Sequence, residues 1–264
     1  MGRALFDRPG RSAPRDGEEM AGVQGPDKKY SQCIFGIAPT PTDAGEGGGG
    51  RSRMDKAGDL ARERASDQLR HDLAGGRWPP GTVLQEGDLA QELGLSKTPV
   101  REALLALSEH GLVRPQARVG YLVPAISLRD LAEIFSLREL LEGQIAADVA
   151  TAHRTAAPLA EPAAGPLAWR EHAFHADLAT LSGNRRVVVQ VGTLLDESQR
   201  AQAYLDPAHE RTPSLVAEHE PLLAAIAAGD RMLAAALMTI HLTHMRESLM
   251  ASLRQRLREQ SDVI

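Results

Sequence analysis

The chain has 264 residues, enough for two domains with real cores, and its single cysteine, Cys33, excludes an intrachain disulfide and fits a reducing cytoplasm. A formal net charge of −5 excludes a globally basic nucleic-acid binder. No apolar run approaches the roughly 18 residues of a membrane span, so no membrane partner is expected. Aromatics are only 3% of the chain while Ala and Leu are abundant, which favours helical packing over a β-rich domain.

Residues 1–53 are rich in Gly, Pro, Arg and Asp, carry a Gly-rich run at Gly45–Gly50 and lack periodicity. They are expected to be a disordered tail, and they lack the apolar core of a signal peptide. Met54 directly precedes the first helical pattern, so a mis-assigned start is the simpler explanation of that text; a flexible tail with a partner is the alternative.

A first helix is predicted over Gly58–Leu73, followed by a turn at Trp78 and the Pro79–Gly81 step. A short amphipathic helix, Glu86–Leu93, ends at Gly94, which can take positive φ. Ser96 is placed to N-cap the next helix, with Pro99 in its first turn, where a missing N–H costs nothing. That helix runs to about His110 and stops at Gly111, with Leu104, Leu105 and Leu107 as the expected buried positions. Lys97, Thr98 and Arg101 are left near its exposed N-terminal end, the end that meets base edges when a helix docks in a major groove. Leu112–Val123 then reads as two short strands around a turn containing Arg118 and Gly120, the pattern of a wing. Residues 54–127 hold nine Lys/Arg against ten Asp/Glu, so a local basic patch on this helix and wing is expected rather than a basic domain.

From Ser127 the sequence predicts a long helix to about His153, capped by Ser127, with Ile126, Leu131, Ile134, Leu137, Leu141 and Ile145 at helical spacing. Helices follow at Leu167–Leu181, Arg186–Tyr204, Ser214–Ala228 and Asp230–Arg258. Asn184 reads as a helix cap, and Ala227–Asp230 as a tight connector between two antiparallel helices. The fold class is therefore mainly α: a winged helix-turn-helix over residues 54–125 and an all-α bundle over 126–264.

The string SKTPVREAL at Ser96–Leu104, with the EHGLV step at Glu109–Val113 and VGYLV at Val119–Val123, resembles the N-terminal domain of GntR-family bacterial transcription regulators. The resemblance implies duplex DNA as partner and Ser96, Lys97, Thr98, Arg101, Arg118 and Gly120 as the DNA-binding set. Without it, a helix-turn-helix used for protein contacts and ordinary solvated charges would be the bland alternatives.

The bundle resembles the FCD ligand-binding domain of the FadR subfamily. The likeness rests on SLRELLEG around Arg138, EHAFHADLATLSGN at Glu171–Asn184, and the segments EHEPLLAAIAAGD and IHL between Glu218 and Leu242. That family binds a divalent metal with one acid and three histidines, which transfer to Glu171, His175, His219 and His241. Spacing agrees: Glu171 and His175 are i,i+4 on one helix face. His219 and His241 lie 10 and 12 residues either side of Gly229, each about 15–18 Å from the turn. Such a set suits Zn, Ni, Mn or Fe without selecting one. The alternatives are a surface Glu–His pair and satisfied core histidines, and His172 and His244 are competing ligands. The family usually has Asp where this chain has Glu171, and the extra methylene, about 1.5 Å, is expected to set the carboxylate off-centre. The segment between Glu142 and Glu171 is shorter than the family pattern, at TAAPLAEPAAGP, which truncates one pocket wall. Arg138 is read as an effector-binding guanidinium or, equally, as an i,i+4 ion pair to Glu142.

Together these imply a non-enzymatic cytoplasmic transcription regulator, a repressor. It is expected to bind an inverted-repeat operator as a homodimer, under the control of a small carboxylate effector beside the metal. The alternatives are a bundle that only dimerises and a metal-dependent hydrolase or oxygenase.

Overall fold

The computed structural model describes residues 53–152, 167–207 and 212–261. The expected tail, residues 1–52, and the short segment at 155–166 lie outside the described residues. The N-terminal unit consists of α1 (Arg53–Ala74), β1 (Val83–Leu84), α2 (Glu86–Leu93), α3 (Lys97–Glu109), β2 (Arg114–Gln116) and β3 (Gly120–Leu122). The C-terminal unit is all helix: α4 (Leu128–Thr151), α5 (Leu167–Leu181), α6 (Arg185–Leu205), α7 (Thr212–Ala217), α8 (His219–Ala227) and α9 (Arg231–Ser261).

The N-terminal core forms where α1 lies against α3 and the sheet closes beneath them. Leu69, Leu73, Leu89, Val100, Leu104, Leu107, Leu112 and Tyr121 are its buried side chains. Along α3 the buried positions are Val100, Ala103, Leu104 and Leu107, the i, i+3, i+4, i+7 stripe of an amphipathic helix. Leu105 lies off that stripe and is 45% exposed, which corrects its expected burial. Gly94 closes α2 at φ 63°, its N–H reaching back to the carbonyls of Ala90 and Gln91. Ser96 takes the extended N-cap backbone, but its side chain makes no capping hydrogen bond, so its expected capping role is not realised. The wing is a three-stranded antiparallel sheet of order β1-β3-β2, with Leu84 opposite Tyr121 and Gln116 opposite Gly120. Two of its strands are the expected wing. β1 is two residues long and carries too little pattern to be read from sequence.

In the bundle, α4 and α9 pack along each other, and Gly143 lets them approach: a Cβ added there would stand 3.2 Å from Thr239 Oγ1. The core runs through Leu131, Phe135, Ile145, Leu178, Leu195, Leu222, Met238 and Leu242. Ser127 caps α4 by accepting from the Asp130 N–H, and Asn184 caps α6 by accepting from Arg186 and Val187. Leu137 sits on the outer face of α4 and is 49% exposed, against expectation. The helix expected over Ser214–Ala228 is broken at Glu218 into α7 and α8.

Helix α6 carries the N-terminal unit on one face. The Thr193 hydroxyl donates to the Val189 carbonyl and so accepts from His110 Nδ1 at 3.0 Å. Arg70 of α1 lies 3.8 Å from Asp196, and Arg200 donates to the Pro124 carbonyl at 2.9 Å. Gly76, at φ 74°, presses so close that an added Cβ would meet Ala203 Cβ at 2.9 Å. These α6 positions, 193, 196, 200 and 203, recur at helical spacing.

Glu197 lies on the same side of α6. Burial raises its pKa to about 7 against the pull of Arg200, with Asp130 and Asp196 adding to the rise. Its folded pKa exceeds the unfolded value, so its contribution is intact below about pH 4.5 and is lost as pH rises through about 7. Glu197→Gln should therefore match the parent near pH 4.5 and exceed it by roughly 1–3 kcal/mol at pH 8 in urea unfolding. An equal effect at both pH values would show that this carboxylate is not perturbed.

Candidate DNA interface and candidate metal centre

Two regions gather polar chemistry. In the first, the start of α3 and the wing share one end of the N-terminal unit. Ser96, Lys97, Thr98 and Arg101 are all exposed there, because the apolar stripe of α3 turns the other way. Arg101 is 68% exposed and only loosely paired, at 3.9 Å from Glu86. Arg118 forms the tip of the wing at φ 64°, a left-handed conformation that costs a non-glycine residue energy. The turn is closed by Val119 N–H donating to the Gln116 carbonyl at 3.0 Å.

Gly120 has a different role from its neighbours. Its φ is 136°, and an added Cβ would lie 2.3 Å from the Leu84 carbonyl oxygen. It permits β1 and β3 to pair and so holds the wing in place. Gly120→Ala should cost about 1–3 kcal/mol. Gly58→Ala, whose added Cβ would meet nothing, should be neutral or stabilise by up to about 1 kcal/mol. Chemical denaturation of both variants checks the contrast.

In the second region, three helices converge. Helix α5 presents Glu171 and His175 one turn apart, α8 presents His219 at its first residue, and α9 presents His241. All four are buried, and one ligand atom from each lies within 4.8 Å of the others. Glu171 Oε1 is 2.8 Å from His175 Nε2 and 3.0 Å from His241 Nε2, and Oε2 is 3.0 Å from His219 Nε2. The two imidazole Nε2 atoms of His175 and His241 are 3.1 Å apart. The carboxylate is thus central, not off-centre as expected: its extra methylene carries it to all three rings.

The outer edges of two rings are held by further carboxylates. Glu142 Oε2 accepts from His175 Nδ1, and Glu218 Oε2 accepts from His241 Nδ1 at 2.9 Å. The carboxylates on Nδ1 orient both rings so that Nε2 points to the centre, as in metal-bound histidines backed by carboxylates. Phe174 stacks on His219 with ring centroids 3.8 Å apart. Arg138, 1% exposed, donates to Glu142 at 2.7 Å and to Ser198 at 3.1 Å, so the ion-pair reading of this residue is realised. Its Nη2 is buried without a hydrogen-bond partner. Arg138, Glu171, His175, Ser198 and Gln202 share a cavity of about 10 Å³.

Neither competing histidine belongs to the cluster. His172 turns to Asp196 at 3.2 Å, and His244 is exposed and pairs with Glu218 at 2.8 Å. Glu142 and Glu218 went unseen as supports of His175 and His241, because their partners are 33 and 23 residues away.

Electrostatics mark the centre as electronegative. Burial alone would raise the Glu171 pKa, yet His241 and His219, with a hydrogen bond from His175, hold it well below the ordinary range. Burial would likewise lower His241, but Glu171 and Glu218 raise it to about 9. Glu142 is pulled down to about 2 despite its burial, by Arg138 and then His175.

Residues 61–123 match the family described as "Bacterial regulatory proteins, gntR family", and residues 133–244 match the FCD domain. A Streptomyces ambofaciens protein described as "Uncharacterized HTH-type transcriptional regulator in unstable DNA locus" is 32% identical over 176 residues, covering 62% of this chain and 74% of that protein. The chain belongs to the GntR family of bacterial transcription regulators. It pairs a GntR-type helix-turn-helix with a helical FCD domain, and the family consists of regulators rather than enzymes. A second GntR-family relative, from Paenarthrobacter nicotinovorans, is a "Probable D-xylose utilization operon transcriptional repressor". It is 38% identical over 88 residues, covering 32% of this chain and 39% of that protein. The chain therefore spans well under half the length of that relative. A crystal structure of a GntR regulator from Rhodococcus sp. RHA1 shares the fold with a TM-score of 0.62 at 22% identity, over 73% of this chain and 98% of that one.

Proposed function

We propose that this GntR-family regulator is a metal-containing repressor that binds an inverted-repeat operator as a homodimer and responds to a small carboxylate metabolite in the cytoplasm. The observation that carries the metal part is the orientation of His175 and His241. Their Nδ1 atoms are taken by carboxylates while their Nε2 atoms face Glu171. Glu171 Oε2 is buried and faces His219 Nε2 at 3.0 Å without a hydrogen bond, a pairing of ligand atoms that a shared cation would satisfy. Glu171, His175, His219 and His241 would hold Zn, Ni, Mn or Fe, and the ion would supply positive charge to fix a carboxylate ligand. Arg138 Nη2, buried and unmatched beside the same small cavity, supports an effector carboxylate there. Among the described residues no helix is long and apolar enough to cross a membrane.

Metal analysis of purified protein should find about one divalent ion per chain. His219→Ala, His241→Ala and Glu171→Ala should each bind the metal more weakly and melt at lower temperature. Glu142→Gln should keep the fold and weaken metal binding roughly 10–100-fold. No uptake of added Zn or Ni at neutral pH would reduce the cluster to packing.

One observation favours the second reading, in which the bundle only dimerises. The cavity beside the cluster, about 10 Å³, holds about one water, so an organic effector requires the Gln202 side of α6 to give way.

Lys97, Thr98, Arg101 and Arg118 are proposed to meet DNA, with Ser96 at the entry of the recognition helix and Gly120 shaping the wing. Arg101→Ala should abolish specific operator binding with the melting temperature unchanged, and should flatten the salt dependence of what binding is left. Full operator affinity in that variant would remove α3 as the reading helix.

The homodimer reading is supported by exposed apolar residues on two adjoining helices: Leu137 and Leu140 on α4, and Met232, Leu233 and Ile240 on α9. Leu140→Glu combined with Ile240→Glu should give monomers in sedimentation velocity without loss of helix content. A dimer unaffected by both charges would place the interface elsewhere.

A further inference from the structure

We propose that the junction between the wing, the interdomain connector and α6 is a second ligand site, built for a small monocarboxylate and separate from the metal centre. A cavity of about 110 Å³ lies there, bordered by Arg114 of β2, Asp130 and Ile134 of α4, and Glu197, Arg200 and Ala201 of α6. It is far larger than the cavity beside the metal cluster and has room for several waters or a small organic anion.

Arg200 identifies what the cavity takes. It is 7% exposed, and its Nη1 is spent on the Pro124 carbonyl at 2.9 Å. Its Nε is buried and has no hydrogen-bond partner, a costly state for a charged donor. Arg114, on the exposed wing strand, supplies a second guanidinium to the same space. Two guanidiniums with an unmet donor call for a carboxylate oxygen.

The opposing acids set the charge of the ligand. Asp130 and Glu197 also border the cavity. Burial raises Glu197 to about 7, so near neutral pH it is protonated about half the time and can donate to an anion rather than repel it. Asp130 still offsets one guanidinium, which disfavours a dianion such as phosphate. Leu131 and Ile134, both buried, and Ala201 give the rest of the cavity an apolar wall suited to a short alkyl tail. A ligand seated there would touch the wing, the connector and α6 together, and so would fix the DNA-binding unit on the bundle.

The test is calorimetric titration of the full, metal-loaded chain with propionate, with inorganic phosphate as the dianion arm and no operator DNA present. The readout is therefore independent of the regulatory role. Saturable propionate binding is expected, at least about tenfold tighter than phosphate. It should persist in His219→Ala and weaken at least about tenfold in Arg114→Ala, Arg200→Gln and Ala201→Leu. Arg114 is exposed, so its variant keeps the fold even if Arg200→Gln loosens the connector. Ala201→Leu fills the cavity and leaves every charge in place. Three results would overturn the proposal: no saturable binding of propionate, binding unchanged in both Arg114→Ala and Ala201→Leu, or binding lost in His219→Ala, which would assign the anion to the metal pocket.

Discussion

A carboxylate buried among three imidazoles organises this molecule. Glu171 is 2% exposed, and its two oxygens reach His175, His219 and His241 on three different helices. Without water to screen it, the negative charge must be matched locally. The matching is visible in the His241 pKa, which burial pulls down and the facing carboxylates push up to about 9. Glu142 and Glu218 add further negative charge behind the rings, and Arg138 neutralises part of it from α4. An arrangement meant only for packing would be served better by apolar side chains of the same volume.

The same elements that gather the cluster also carry the DNA-binding unit. Helix α6 lines the metal-side cavity with Ser198, Gln199 and Gln202, and holds the N-terminal unit with Thr193, Asp196 and Arg200. Asp196 is shared: one oxygen lies 3.8 Å from Arg70 of α1 and the other 3.2 Å from His172, the neighbour of Glu171 on α5. A ligand that shifts α6 would therefore be felt on both faces of one rigid rod. Such a ligand would act only as far as it binds one arrangement better than the other.

Much of this was legible in the sequence because it is local. The Gly94 and Gly111 stops, the Ser127 and Asn184 caps and the α8–α9 hairpin each depend on a few neighbouring residues. The hairpin arithmetic also brought His219 level with His241, and their rings stand 4.9 Å apart. What escaped depends on partners distant in the chain. Glu142 was visible as an i,i+4 partner of Arg138, but its second oxygen serves a histidine on another helix. Leu105 and Leu137 were misplaced because their helices are apolar on more than one side, and periodicity alone does not say which side faces a neighbour. The break at Glu218 was signalled by Pro221, which has no N–H for the Ala217 carbonyl one turn earlier, and it frees the Glu218 carboxylate to hold His241 and His244. Glu171 was expected off-centre because a longer side chain was judged against a fixed helix. In the folded protein the rings stand where the longer carboxylate reaches.

The central claim is that these four residues form one cation site, and X-ray absorption at the zinc edge of the zinc-loaded chain tests it most directly. The account predicts a shell of imidazole nitrogens and carboxylate oxygen at about 2.0–2.2 Å, with the multiple-scattering signature of three histidines that falls to two in His219→Ala. A shell without imidazole scattering, or one unchanged by His219→Ala, would contradict it.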